Sequence, residues 1–170
     1  RFGRAVLIQN RRQKEDWAKT AVKDIAEGLA KKALAEYAKR GLVSVHDTRY
    51  EAMAALVKQW EDDGLNTKDS LLLAGMVWEV EALNQMAQSK MRAAGRLSGE
   101  GISVEGKELF LGETVIFTKT SGPRNVEKGA RGEVAGIDAL SQTVTVQLYA
   151  GHRVTVCLTD FPHLDLGYAM

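Results

Sequence analysis

The chain has 170 residues, 45% of them hydrophobic and 26% charged, and its net charge is +1. That balance is globular and excludes a disordered chain, and it supplies no global basic field, so any nucleic-acid site has to be local. A single cysteine excludes an internal disulfide and fits a reducing cytosol, no apolar run reaches the roughly 18 residues of a membrane span, and no signal peptide is evident, so the expected location is cytoplasmic.

Residues 5–8 are an apolar run whose last residue, Ile8, opens the stretch I-Q-N-R-R-Q-K-E-D-W. In α/β proteins functional groups sit in loops beyond the carboxyl ends of strands. A guanidinium there matches phosphate oxygens with two parallel donors. Arg11 and Arg12 are therefore candidates for an anion contact, with Gln13 beside them. The other reading is an exposed arginine pair at a helix start, although cations there oppose the helix dipole. The pattern alone leaves both open.

Within residues 14–39, Trp17, Ala21, Ile25, Leu29, Leu34 and Tyr37 recur at helical spacing. Gly28 is expected to split this stretch into two helices, since a mid-helix glycine costs about 1 kcal/mol against alanine. Gly41 should end the second helix after Lys39 and Arg40. Residues 42–45 read as a short strand. Thr48 is placed to cap a helix over 49–63, with Met53, Leu56, Val57 and Trp60 on one face. The run S-L-L-L-A-G-M at 70–76 has the continuous apolar character of a strand covered on both faces. A long helix over 77–94 then carries Val80, Leu83, Met86, Ala87 and Met91 inward. This alternation predicts parallel βαβ packing.

Near residue 100 the pattern changes from helical spacing to glycine and short alternation, which divides the chain into 1–100 and 101–170. Residues 114–119, 132–137, 143–149 and 152–158 read as four short strands joined by tight turns. Four such strands suit a small SH3-like barrel. The expected fold is thus α/β: helices with a partial parallel sheet, followed by an SH3-like β-barrel. Cys157, between Val156 and Leu158, reads as a small core residue.

Several chemistries find no support. No G-x-x-x-x-G-K-S/T loop is present, nor a G-x-G-x-x-G after a strand. His46, His152 and His163 lack the pair spacing of a zinc site, and Glu61-Asp62-Asp63 reads as a solvated turn before Gly64. Asp160, His163 and Asp165 lie close together but no nucleophile accompanies them. No metal site is expected, and the chain by itself contains no complete active site. The segment T-K-T-S-G-P-R-N-V-E-K-G-A-R-G does concentrate charge, with Lys119, Arg124, Lys128 and Arg131. Such a patch on a flexible loop suits backbone phosphates and not base reading, and a purely solubilising role accounts for it equally well. Phe117, Tyr149 and Phe161 are the few aromatics near it, and Phe117 reads as core.

In order along the chain, R-R-Q-K-E-D-W, A-L-A-E-Y-A-K-R-G, L-V-K-Q-W and E-V-E-A-L-N-Q-M-A-Q-S-K-M-R-A-A-G-R-L are joined by G-E-T-V-I-F-T-K and D-F-P-H-L-D-L-G-Y-A-M. Together they resemble the helicase half of conjugative relaxases, RecD-like enzymes of superfamily 1. The resemblance implies part of the second motor domain, an incomplete RecA-like 2A domain, with an SH3-like 2B insertion over about 112–158 that helps hold single-stranded DNA. It implies that Arg12 contacts the γ-phosphate of ATP bound to the first motor domain, with Gln13 beside it and Arg11 a lesser participant. An arginine stabilising a transferring phosphoryl group is worth orders of magnitude in rate.

The same resemblance implies ATP and Mg as cofactors of the full-length protein, with none bound to this chain. Walker A and Walker B would lie upstream, and a T-x-H-K-x-Q-G element would follow Met170, so the chain is expected to be a fragment that is inactive alone. Implied partners are single-stranded DNA, the other motor domain and the type IV secretion coupling machinery, with no membrane insertion. Thr120-Ser121 and Lys128-Gly129 depart from the Asn-Asp and Asn-Gly usual in the family, and Ala74-Gly75-Met76 departs from its threonine and arginine. These departures keep an alternative in view, a non-enzymatic interaction module derived from such a helicase. A stand-alone SH3-like adaptor is a weaker option, because the aromatic density of a Pro-rich ligand groove is missing.

Overall fold

The computed structural model describes residues 13–170. The chain divides into two compact units between Thr48 and Arg49. Composition changes near residue 100 but compactness changes at 48/49, so the two lines divide different things.

In the first unit, α1 (Asp16–Ala26) and α2 (Ala30–Lys39) form a helical hairpin. Ala21, Asp24 and Ala33 are its buried residues. Trp17 meets the edge of Tyr37 with ring centroids 5.2 Å apart, and the Arg40 guanidinium stacks 4.2 Å over the Trp17 ring. The expected strand over 42–45 does not form: residues 42–46 are irregular, and Leu42 and Val45 are exposed. An isolated β-prone run needs a neighbouring edge to pair with, and none is recorded for these residues.

The second unit begins with α3 (Arg49–Asp62) and α4 (Val77–Ala93). Met53, Val57 and Trp60 of α3 are buried with Leu83, Ala87 and Met91 of α4, while Leu56 is left exposed. One device ends all four helices among the described residues. Gly28, Gly41, Gly64 and Gly95 take φ of +83°, +70°, +91° and +67°. The residue after each glycine then donates back to a carbonyl in the last turn, as in Leu42 N–H to Tyr37 O at 3.1 Å and Leu65 N–H to Trp60 O at 3.1 Å. This left-handed cap favours glycine because it has no Cβ to clash.

A hairpin of β1 (Ser98–Val104) and β2 (Lys107–Leu111) follows. Then come β3 (Thr114–Phe117), a 3-10 turn (Gly122–Arg124), β4 (Arg131–Asp138), β5 (Thr143–Leu148), β6 (Arg153–Cys157) and β7 (Leu164–Leu166). They form a five-stranded sheet in the order β6-β5-β4-β3-β7, antiparallel at every pairing. The four strands expected between 114 and 158 are all present, whereas β1 and β2 were not expected. Val115, Phe117, Val134, Val144, Val146 and Val156 line the core. Burying a side chain such as Phe117 stabilises by roughly 1.5–3 kcal/mol. Cys157 departs from expectation: it is half-buried on the face opposite Val154 and Val156. Alternation along the strand turns it away from the core, and its Sγ lies 3.0 Å from Thr159 Oγ1.

The parallel sheet predicted from 70–76 is reduced to one bridge, Leu72 to Ala169. Leu72 N–H donates to Tyr168 O (3.0 Å), Met170 N–H to Leu72 O (3.1 Å) and Ala74 N–H to Met170 O (3.1 Å). Leu72 is buried but Leu73 is 69% exposed, because a strand paired on one edge of a two-strand ribbon is not covered on both faces. The fold is therefore a mixed α/β chain with a small antiparallel sheet. Residues 164–170 connect its parts, pairing with β3 as β7 and then running parallel to 72–74.

Candidate nucleic-acid interface

The connection between β3 and β4 carries three of the four expected cations and the fourth begins β4. Its neck is closed by Phe117 N–H to Ala130 O (2.9 Å) and Gly129 N–H to Phe117 O (2.8 Å). Farther out, Ser121 and Val126 exchange backbone hydrogen bonds of 2.8 and 3.1 Å around the 3-10 turn. Val126 is 2% exposed, which anchors the loop in the core. Lys128 N–H donates to Thr120 Oγ1 (3.0 Å), tying the limbs together. Asn125 sits at the tip with φ +51°, and its carbonyl lies 3.0 Å from His152 Nε2 of the β5–β6 turn. The loop read as flexible is thus braced at its neck, its middle and its tip.

The cations separate into two kinds. Lys119 and Lys128 stand exposed on the two limbs. Arg124 is half-buried, with its guanidinium 4.9 Å over the Phe161 ring. Arg131, expected with them as a phosphate contact, has its guanidinium on backbone carbonyls. Its Nε donates to Gly167 O (2.9 Å), and one terminal nitrogen donates to Thr67 O (2.9 Å) and Ser70 O (3.3 Å). The same group stacks 5.6 Å from the Tyr149 ring, and desolvation lowers its pKa. Tyr149 OH in turn donates to Thr67 Oγ1 (2.9 Å).

A buried polar cluster, not anticipated from the sequence, joins the start of β3 to α4 and to residues 168–169. Glu113 is fully buried and accepts from the Tyr168 hydroxyl and from Gln88 Nε2 (2.8 Å). Burial pushes the Glu113 carboxyl above its ordinary value, against the pull of those hydrogen bonds. Burial and the neighbouring Glu113 raise the Tyr168 hydroxyl too. Asn84 Oδ1 accepts from the backbone of Tyr168 (3.0 Å) and Ala169 (2.8 Å).

The remaining candidates fall elsewhere. Arg11 and Arg12 lie outside the described residues, and Gln13 is half-buried ahead of α1. Asp165 accepts from Lys107 Nζ at 2.6 and 2.7 Å, and His163 packs against Phe161. Glu61 pairs with Lys90 (2.7 Å) and Asp62 with Lys58 (3.1 Å). Among the described residues no group of three or more His, Cys, Asp or Glu is set to hold a metal, and no helix is long and apolar enough to cross a membrane. Thr120 and His152, which brace the loop, were missed by reading charge alone. The one local sign of the tip was the turn-prone G-P-R-N.

No protein-family model matches the chain. It is 31% identical over 175 residues to a probable conjugal transfer protein TraA of Sinorhizobium fredii, covering 99% of this chain and 16% of that protein. It is 33% identical over 176 residues to the conjugal transfer protein TraA of Agrobacterium fabrum, with the same coverage of each. The chain therefore spans about a sixth of the length of these relatives. Among solved structures, a Pif1 helicase from Bacteroides in complex with ADP-AlF3 and single-stranded DNA matches with a TM-score of 0.53 and 13% identity, over 95% of this chain and 40% of that one. At that identity the likeness is one of fold.

Proposed function

Because the chain is homologous along 99% of its length to one stretch of the conjugal transfer proteins TraA, we propose that it is part of an ATP-driven DNA helicase of conjugal transfer. In this reading it supplies a surface for single-stranded DNA, formed by an SH3-like barrel, and an arginine for the nucleotide. The observation that carries the DNA role is the braced β3–β4 loop, which presents Lys119 and Lys128 exposed on its limbs and Arg124 half-buried against Phe161. Cations on a preformed loop meet backbone phosphates without the entropy of ordering it first. The Pif1 structure of like fold was solved with single-stranded DNA, which supports the assignment.

The sequence contains no phosphate-binding loop, so ATP and Mg belong to the rest of the longer protein in this reading. This chain would contribute Arg12, with Gln13 beside it, to stabilise charge on the γ-phosphate. In the longer protein R12A is expected to abolish ATP turnover and leave DNA binding intact; normal turnover would refute the role. For the DNA surface, a fluorescent oligothymidine is titrated with the 170-residue chain at several salt concentrations. Three phosphate contacts predict a log–log salt slope of about −2, at roughly 0.7 per contact on a single strand. Absence of binding even at low salt would exclude an autonomous DNA surface.

A second reading is a protein-interaction module that recognises the secretion coupling machinery. Leu73, Met76, Val77 and Trp78, neighbours in sequence and all exposed, favour it. Binding to the purified coupling protein without binding to the oligonucleotide would select this reading.

A further inference from the structure

We propose that Arg131 is a positioning residue for single-strand binding: it holds the β3–β4 loop against the ribbon of residues 72–74 and 168–170 and does not itself contact DNA. This role rests on the single-strand reading above. Arg131 starts β4 directly after Ala130, whose carbonyl closes the loop neck. From there its planar group reaches two distant segments at once. Thr67 and Ser70 belong to the turn that leads into Leu72, and Gly167 immediately precedes Tyr168, which bonds to Leu72. One side chain thus fixes both limbs of the ribbon where they begin and joins them to the root of the basic loop.

The geometry is specific to arginine. Nε and a terminal nitrogen point in different directions within one plane, and each meets carbonyl oxygens of a different segment. A lysine ammonium at that position is a single point charge on a flexible stem and cannot hold both segments in a fixed orientation. Gly167 tightens the arrangement further, because a Cβ there would lie 2.7 Å from the Val115 carbonyl carbon. With its donors facing carbonyls and its ring-like plane against Tyr149, the guanidinium is turned away from the role of a phosphate clamp.

The test compares R131Q, R131K and K128A in the 170-residue chain, by oligothymidine titration across salt and by amide hydrogen exchange. K128A should flatten the salt slope by about 0.7. R131Q should weaken binding about fivefold or more at every salt concentration, with the slope unchanged, since three part-buried carbonyls lose their donor. R131K should behave like R131Q although it keeps the charge. In both Arg131 variants the amides of Leu72 and Met170 should exchange faster, while those of Val144 and Val146 stay protected and report an intact sheet. Rescue by R131K, a flattened slope in R131Q, or unchanged exchange at Leu72 and Met170 would each overturn the proposal. If the unaltered chain binds no oligothymidine, the single-strand reading falls and the positioning role falls with it. Faster exchange in the variants then records a clamp without that function.

Discussion

The α1–α2 hairpin and the five-stranded sheet meet the same requirement in opposite ways. The hairpin is set by local rules: two amphipathic helices, each closed by a glycine cap, with Ala21, Asp24 and Ala33 buried and Ile25, Leu29 and Leu34 left exposed. The sheet is set by distance. Its strands contribute Val115, Phe117, Val134, Val144, Val146 and Val156 to a core in which each is at most 1% exposed. Local signals can specify elements without supplying enough buried area to hold them, since short helices draw most of their stability from packing. In this chain the anchor is the sheet, and the loop proposed to meet DNA grows from it.

Removing core volume from the sheet should show the contrast most strongly. F117A is expected to cost about 3–5 kcal/mol in chemical denaturation, through lost transfer energy and the cavity left behind. A33G in the hairpin should cost only about 2 kcal/mol, the helix propensity difference plus one buried methyl group. Equal losses would show that the two regions are held alike. Next in size is overpacking. A Cβ on Gly132 would lie 2.4 Å from Gln147 O and 2.9 Å from Leu148 Cα, so G132A should cost about 1–3 kcal/mol by forcing β4 and β5 apart.

A smaller effect separates the regions by pH. The folded-state pKa of Glu113 is raised above its ordinary 4.5 by burial. The folded chain therefore holds that proton more tightly than the unfolded chain does. The corresponding stability is present below pH 4.5 and is lost as pH rises through the folded-state value. E113Q keeps an oxygen acceptor for Tyr168 but cannot ionise, so its stability should lack this decline; an identical pH profile in both proteins would show that Glu113 contributes none of it. The smallest change is expected at the hairpin surface. K23A breaks the 3.7 Å pair with Glu27, and because both side chains are more than half exposed the loss should be no more than about 1 kcal/mol.

The difference between the regions also explains what was legible in the sequence. Helical spacing and the glycines at 28 and 41 revealed the hairpin, because caps and periodicity are written within a few residues of where they act. Alternation revealed β3 to β6 for the same reason. Residues 42–45 and 70–76 have strand-like composition, yet whether such a run pairs depends on neighbours that its own residues do not name. The hairpin of β1 and β2 was hidden by the glycines of S-G-E-G, which lower strand propensity. Arg131 shows the limit at the candidate site: its charge is visible in sequence, but its acceptors lie 36, 61 and 64 residues away. The bare cations of the loop were therefore readable as a patch, while the arginine placed to orient them looked the same as the rest.

Asn84 has a consequence for how the chain avoids misassembly. Its amide oxygen accepts from the main chain of both Tyr168 and Ala169, and its nitrogen donates to the Ala169 carbonyl at 3.4 Å. The side chain thereby imitates one rung of a neighbouring strand. A slip of the 168–170 segment by a single residue would offer the amide mismatched groups and turn Tyr168 out of the core. One buried asparagine thus serves as a register key for the chain's last strand-like segment.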